Sequence, residues 1–445
     1  MSGTPRPGLK LQRSLGTAGL VFVMFFTVSG GAFSMEALVS ATGPGMALVL
    51  LVLVPVCWAL PEALLIGELA SMLPEEGGYY RWVRRAFGPF WAFQNGWLTW
   101  CYSLVDMAIF PVLFTLYLNW FAPGLGPWAR WVVALVMIWG STALNLRGAR
   151  PVGRASVMAG LIITVGFFAF ALAAIPQVTH APWSPFVPEG RDPWKVAGLG
   201  LSITLWNFIG WDNASTVGGE ITDAGRTYPR ALAIAVPLVT LGYLLPVTAA
   251  LAASDWRTWS EGAWPTIAQV AAGPLGGFFA AWLAIAGMVS ALGMFNASLL
   301  AYSRIPAAMA ADGLLPARLA DTDERGTPRG AVLVSAAIYS VVVLLPFNGL
   351  VVADVVFYAL ALLLEFGALI VIRRREPALR GPFRIPLGAT GVTVLALIPL
   401  TILAGVIGLS LLGGEYEPAA ILVTVVGAAF GPVAYRLAIR GRATI

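Results

Sequence analysis

Charge is scarce in this sequence: Asp, Glu, Lys and Arg make up 11% of 445 residues, against 58% hydrophobic residues and a mean hydropathy of +0.81. A chain so poor in charge reads as an integral membrane protein with no room for a sizeable soluble domain. Histidine occurs once, as His180, and cysteine twice, as Cys57 and Cys101. A lone histidine in a polar stretch beside Pro182 reads as a solvated loop residue. The chain contains neither HExxH nor GxSxG, so an intramembrane enzyme, with its metal ligands or nucleophile–base pair, is disfavoured. Both cysteines stand inside apolar runs and read as buried thiols, not as a disulfide. The start, MSGTPRPGLKLQRSLG, is basic but lacks a small-residue cleavage site. Residues 1–14 therefore read as a cytoplasmic tail and not as a cleaved signal.

Long apolar runs, by contrast, recur along nearly the whole chain. A hydrocarbon core about 30 Å thick needs roughly 20 apolar residues per helix. Hydropathy, punctuated by Pro, Gly and charge, predicts twelve spans: 15–41, 44–70, 88–121, 127–146, 152–175, 197–219, 230–253, 275–306, 329–346, 351–373, 389–412 and 418–439. Of the 27 Lys and Arg, all but Arg130, Arg191, Lys195 and Arg257 fall in the two tails, in alternate loops, or at the span ends beside them. Cytoplasmic segments carry the excess of cations, so both termini are expected inside and the span count is even. The net charge of +5 then belongs to the inner membrane face and gives no evidence for nucleic acid.

Two spans are interrupted. FTVSGGAFSMEA (Phe26–Ala37) sets Ser29, Gly30 and Gly31 and then Glu36 in span one, and TLWNFIGWDNAST (Thr204–Thr216) sets Gly210 and Asp212 in span six. An offset of five spans makes the two halves run in opposite directions, as in inverted-repeat transporters whose substrate sits at the midplane between discontinuous helices. Backbone in lipid cannot stay unpaired, so such breaks survive where they line a cavity or touch a ligand. Close packing on small residues would explain one Gly-Gly pair. It accounts less well for two matched breaks, each followed by a carboxylate, and a channel needs no such pair.

The residues near the breaks form a candidate site. A polyamine wants spaced acids with aromatic faces between them. Glu36, Asp106 and Asp212 offer the charges, and Trp97, Trp100, Tyr102, Trp206 and Trp211 the faces. A zwitterionic amino acid wants its carboxylate at the N-terminus of a half-helix, which Ser29 to Ala32 would provide. Both needs are met, which points to a polyamine or a basic amino acid. The alternative is an exchanger or facilitator of neutral amino acids. Acids at membrane depth are costly and default to function, although Glu36 and Asp212 would also serve to cap freed backbone N–H groups. Glu62, Glu68 and Glu220 lie near Arg-rich helix ends and are expected in gating or structural ion pairs with residues such as Arg81 or Arg226. Glu365 in span ten is open between proton site, substrate ligand and core carboxylate. Glu36, Asp212 and Glu365 are the candidates for carrying a coupling proton. Sodium is less favoured, since Ser290 and Ser298 lack a convincing neighbouring hydroxyl pair. No cofactor or metal is expected. The stretch from Ala307 to Arg329 predicts a short cytoplasmic helix plus turn that moves with gating.

Several motifs carry a resemblance beyond these readings: the Ser-Gly-Gly-Ala-Phe break; ELASMLPEEGGYYRWV; LWNFIGWDNAST followed by GGEITDAGRTYPRAL; AYSRIPAAMAADGLLP; and LEFGALIVIRRREP with RGPFRIPLG. Together, over nearly the whole chain, they resemble the amino-acid/polyamine/organocation transporter superfamily. SGGAFSMEALVSATGP, AFGPFWAFQNGW, the PVL of span three and the LEF of span ten resemble its polyamine-uptake branch. The resemblance implies an all-α integral membrane protein of twelve transmembrane helices, a LeuT-like five-plus-five inverted repeat (residues 15–175 and 197–373) with discontinuous helices one and six. Two peripheral helices follow at 389–439, and the whole works as one unit by alternating access in the plasma membrane. By position it implies that Ser29, Gly30, Gly31 and Ala32 are the unwound part of span one. Trp206, Ile209 and Gly210 would be the gate and unwound part of span six. Asp106 stands where the arginine/agmatine exchangers of the superfamily carry a substrate-contacting Asn, so a carboxylate there changes the charge of the pocket. Some proton-coupled members place a Lys in span five, but RASVMAGLIITVGFFAF has none in its interior.

Overall fold

The computed structural model describes residues 13–344, 351–413 and 418–442. The expected tail, apart from Arg13 and Ser14, and the last two residues of span nine lie outside them. The described chain is helical: α1 (Thr17–Val28), α2 (Met35–Thr42), α3 (Pro44–Met72), α4 (Gly78–Phe87), α5 (Pro89–Leu118), α6 (Pro127–Asn145), α7 (Ala149–Ala174) and α8 (Pro193–Trp206). There follow α9 (Ala224–Ala253), α10 (Trp264–Ala271), α11 (Gly276–Tyr302), α12 (Arg304–Ala311), α13 (Arg329–Val342), α14 (Val351–Arg375), α15 (Ala389–Gly413) and α16 (Pro418–Arg442). Among the described residues there is no β-strand, only isolated bridges at Leu15–Ile221 and Glu76–Val217.

The termini of these helices follow from their residues. Pro44, Pro89, Pro127 and Pro193 each stand at a first helical position, where the missing N–H is no loss. Asp192 accepts from the Trp194 N–H at 2.9 Å and caps α8. Seven described helices are long and apolar enough to cross a membrane, and Thr17–Val28 and Arg329–Val342 are shorter apolar helices. α1 and α8 fall short because each stops at its break. The apolar residues Val136, Met158, Val165 and Leu172 are exposed on the outside of the body, as a lipid-facing surface requires.

α7, α9 and α11 pack against α1 and α14 against α8, with α5 lying on α11 and α14, while α15 lies against α8, α3 and α14 and α16 against α5 and α14. The first break resumes as an α-helix, α2. The second does not: after residues 207–212 the chain makes two short 3₁₀ turns, Asn213–Thr216 and Gly218–Glu220, in place of a second half-helix. The reason is a competing partner for the backbone. Gly77 N–H donates to the Thr216 carbonyl at 2.8 Å and Val217 bridges to Glu76, so these groups are satisfied by the loop after α3 and not by an i−4 ladder. Two further helices, α4 and α10, lie in loops where no element was expected. Both cysteines are free and half-buried, less enclosed than their apolar neighbourhoods suggest.

Candidate functional site

The two breaks touch. Gly210, at φ +101°, lies so close to Thr27 that a β-carbon there would collide with the Thr27 carbonyl, and the Thr27 hydroxyl approaches the Gly210 carbonyl at 3.4 Å. Glycine is needed at this point both for its left-handed backbone and for the close approach. Between the breaks, and closed by α5, α11 and α14, is a cavity of about 30 Å³, room for about two water molecules. A larger substrate therefore enters only if these walls separate. Of the residues expected to bind substrate, Ser29, Tyr102, Asp106, Trp206, Ile209 and Gly210 line this cavity, joined by Asn207, Asn213 and Tyr358.

The others stand elsewhere. Gly30 donates to the Phe25 carbonyl, and its own carbonyl accepts from Ser290 Oγ at 2.6 Å. Gly31 is held by Ser29 Oγ and backs onto Ile163 and Phe167, and the Ala32 carbonyl accepts from the Trp264 indole at 2.7 Å. The freed backbone of the first break thus meets protein side chains in this structure. Glu36, in the first turn of α2, is also turned away from the cavity. Its Oε1 accepts from Tyr117 at 2.8 Å and from the Gly262 N–H at 2.9 Å, which ties α2 to the end of α5 and to the loop before α10. Trp97 donates to the Gly427 carbonyl and packs on Phe430 of α16, and Trp100 is partly exposed beside it. They are peripheral packing residues and not faces of the cavity. Trp211 is buried outside the cavity wall, its carbonyl bonded by Tyr228.

Inside, acids and phenols dominate. Tyr302 donates to Asp106 at 2.6 Å, and Asn213 links Tyr302 to Tyr102 through contacts of 3.4 and 3.1 Å. Asp354 lies close enough to Asp106 for the two charges to act on each other, and the Trp206 indole neighbours both. Asp354 is fully buried, and neither of its carboxylate oxygens has a hydrogen-bond partner among the described residues. Farther along, Tyr358 Oη lies 2.5 Å from Glu62 Oε1, 2.7 Å from Asp212 Oδ1 and 2.9 Å from the Gly210 N–H. Glu365 accepts from Asn95 at 3.2 Å, and its Oε2 has no partner among the described residues. The rings of Tyr102 and Tyr302, and of Tyr102 and Tyr358, meet edge to face at 5.6 and 5.5 Å.

The arginine-rich end is built differently, and its ion pairs differ from those expected. Glu68 pairs with Arg373, not Arg81, through contacts of 2.6 and 2.5 Å, and also accepts from the Ile385 N–H. Glu220 pairs with fully buried Arg304, not Arg226, at 3.0 and 2.7 Å, with Glu76 alongside at 3.5 Å. Arg81 and Arg84 instead share Asp312, which also accepts from Tyr80, and Arg226 lies 3.6 Å from its neighbour Asp223 on the surface. Pairings of this kind depend on which helix ends converge in space, which spacing in the sequence does not reveal. Glu62 makes no ion pair among the described residues. Asp354, Tyr358 and Tyr302 were missed as site residues. Asp354, Tyr358 and Glu365 are spaced four and seven apart, which puts them on one face of α14, and that periodic polar stripe was the available signal.

Comparison with known proteins agrees with this picture. A family model described as amino acid permease matches residues 15–428. Polyamine transporter PUT1 of Oryza sativa subsp. japonica is 36% identical over 417 residues, covering 92% of this chain and 76% of that protein. Polyamine transporter RMV1 of Arabidopsis thaliana is 36% identical over 392 residues, covering 87% and 79%. A probable polyamine transporter of the same plant is 34% identical over 427 residues, covering 95% and 84%.

Proposed function

The chain belongs to the amino acid permease family, a multi-pass membrane transporter and not an enzyme, and on that premise we propose that it moves polyamines or cationic amino acids by alternating access. The reading includes twelve spans arranged as a five-plus-five inverted repeat with two peripheral helices. It also includes proton-coupled uptake across the plasma membrane with both termini in the cytoplasm. The observation that carries the substrate class is Asp354: a buried carboxylate beside Asp106, neither of whose oxygens has a hydrogen-bond partner among the described residues. An uncompensated acid at this depth is costly unless a cation arrives. Asp106 and Asp354 take one ammonium, the faces of Tyr102, Tyr302 and Trp206 flank the alkyl chain, and Asp212 attracts the next charge. The relatives' printed names, polyamine transporters, support the same class. Glu36, which is tied to Tyr117 and Gly262, fits a fastening role between α2 and the outer loops better than a substrate contact.

The test is thermal stabilisation of the purified protein by putrescine, spermidine, spermine, arginine, lysine and neutral amino acids, beside Asp106→Asn. A ligand that binds the folded state raises its apparent stability, by about 2.7 kcal/mol at a hundred times its Kd. Amines are expected to stabilise the native chain and to lose that effect in the variant. Stabilisation by neutral amino acids alone, unchanged in the variant, would replace this reading with neutral amino-acid exchange.

A further inference from the structure

Tyr358 has one hydroxyl proton and three close polar neighbours. The Gly210 N–H is a donor, so the tyrosine oxygen accepts there. The other two neighbours are carboxylate oxygens of Glu62 and Asp212 at 2.5 and 2.7 Å. A single O–H serves only one of them, since an ionised carboxylate is acceptor-only. The second contact exists only if the other carboxyl is protonated and donates to the tyrosine oxygen. Glu62 is fully buried and its Oε2 has no hydrogen-bond partner among the described residues, whereas neither Asp212 oxygen is both buried and unpartnered, so Asp212 is the better-placed anion.

We infer that Glu62 holds a proton, donated in a hydrogen bond to Tyr358, and that this is the proton the transporter couples to substrate movement. The inference rests on the transport reading for its second half only. The groups that face Glu62 and Asp212 are Glu365 and Tyr358 from α14, Tyr79 from α4, Tyr102 from α5 and Tyr228 from α9. None of the three carboxylates makes an ion pair among the described residues. With the proton in place, Tyr358 pins α3, the second break and α14 at one point. Once the proton leaves, two anions compete for one O–H in a poorly hydrated interior, and their repulsion drives α3 from the second break. Glu62 is a different carboxyl from Asp106 and Asp354, with Asp212 shared between the tyrosine and the second ammonium, so a proton and a substrate ammonium are held together, as symport requires.

Two measurements test this on the full-length protein. The first is the infrared carbonyl stretch of protonated carboxyl groups at neutral pH without substrate. Glu62→Gln, whose amide replaces the donating acid, is expected to lose one carboxyl group's intensity, and Tyr358→Phe to shift the band. An unchanged band in Glu62→Gln overturns the proton assignment whatever the substrate is. The second measurement is made in liposomes, comparing putrescine accumulation driven by an inward proton gradient with counterflow at equal pH. The expected result for Glu62→Gln is loss of gradient-driven accumulation with counterflow retained. Native accumulation and pH dependence in the variant, or loss of both activities with a native melting curve, overturns the coupling role. If the native protein neither accumulates nor exchanges putrescine, the substrate reading fails, and the infrared result still decides the proton.

Discussion

Glu68 and Glu220 at the arginine-rich end and Glu62, Asp212, Asp354 and Glu365 at the centre, with half-buried Asp106 beside them, are carboxylates enclosed in the same helical body, yet they are compensated in opposite ways. The first two face guanidinium groups in short, multiple hydrogen bonds. Among the described residues the five central acids face tyrosines, an asparagine or a tryptophan, and none faces a cation. Taking an ion out of water costs several kcal/mol, which a well-placed counter-ion offsets permanently. A phenol offsets only part of it. The paired acids therefore fix helix ends in place, whereas the central ones have charge to spare for something mobile: a proton or an amine.

The sharpest way to break the contrast is at Arg304. Arg304→Ala leaves Glu220 and Glu76 buried without their cation, and is expected to destabilise the fold by about 3–5 kcal/mol. Thermal unfolding in detergent measures it, and a native melting curve would show that Glu220 is not held by this pair. Asp354→Asn is expected to act in the opposite sense. It should weaken putrescine binding by about tenfold or more, roughly 1.4 kcal/mol, while the melting temperature stays level or rises, because an uncompensated charge is removed. Loss of stability without loss of binding would move Asp354 into the structural set.

The smallest effect belongs to the surface pair of Arg85 and Glu376, whose contacts are 2.9 and 2.6 Å. The Arg85 guanidinium holds the Glu376 carboxyl below its ordinary value. A depressed carboxyl contributes stability above its unfolded pKa and loses it as pH falls through the folded one. Solvent screens exposed pairs, so Glu376→Gln is expected to leave the neutral-pH melting temperature nearly unchanged. A drop comparable to that of Arg304→Ala would erase the distinction between clamp and surface.

Much of this was legible in the chain itself. The paucity of charge fixed the membrane class, Pro and Gly marked helix ends such as Pro89 and Gly88, and Gly30 and Gly210 marked the two breaks because only glycine tolerates their backbone angles cheaply. Asp106 and Asp212 stood out as acids in apolar runs. Partners were not legible. Glu36 looked like a cavity acid until Tyr117 and Gly262, 81 and 226 residues away, proved to hold it. Trp97 and Trp100 looked like cavity faces, but the helix turns them toward α16. Hydropathy reports how readily a side chain leaves water, not which side of the helix meets which neighbour.

Composition and local pattern alone determined an all-helical membrane chain, interrupted twice, with acids placed near the interruptions. Tertiary structure alone decided which acids meet arginine and which meet tyrosine, since those contacts join residues 84 to 305 positions apart. The physical reason is range. Backbone strain, capping and hydrophobic burial act through a few neighbouring residues, whereas the compensation of a buried charge depends on whatever the packed helices bring within about 3 Å of it.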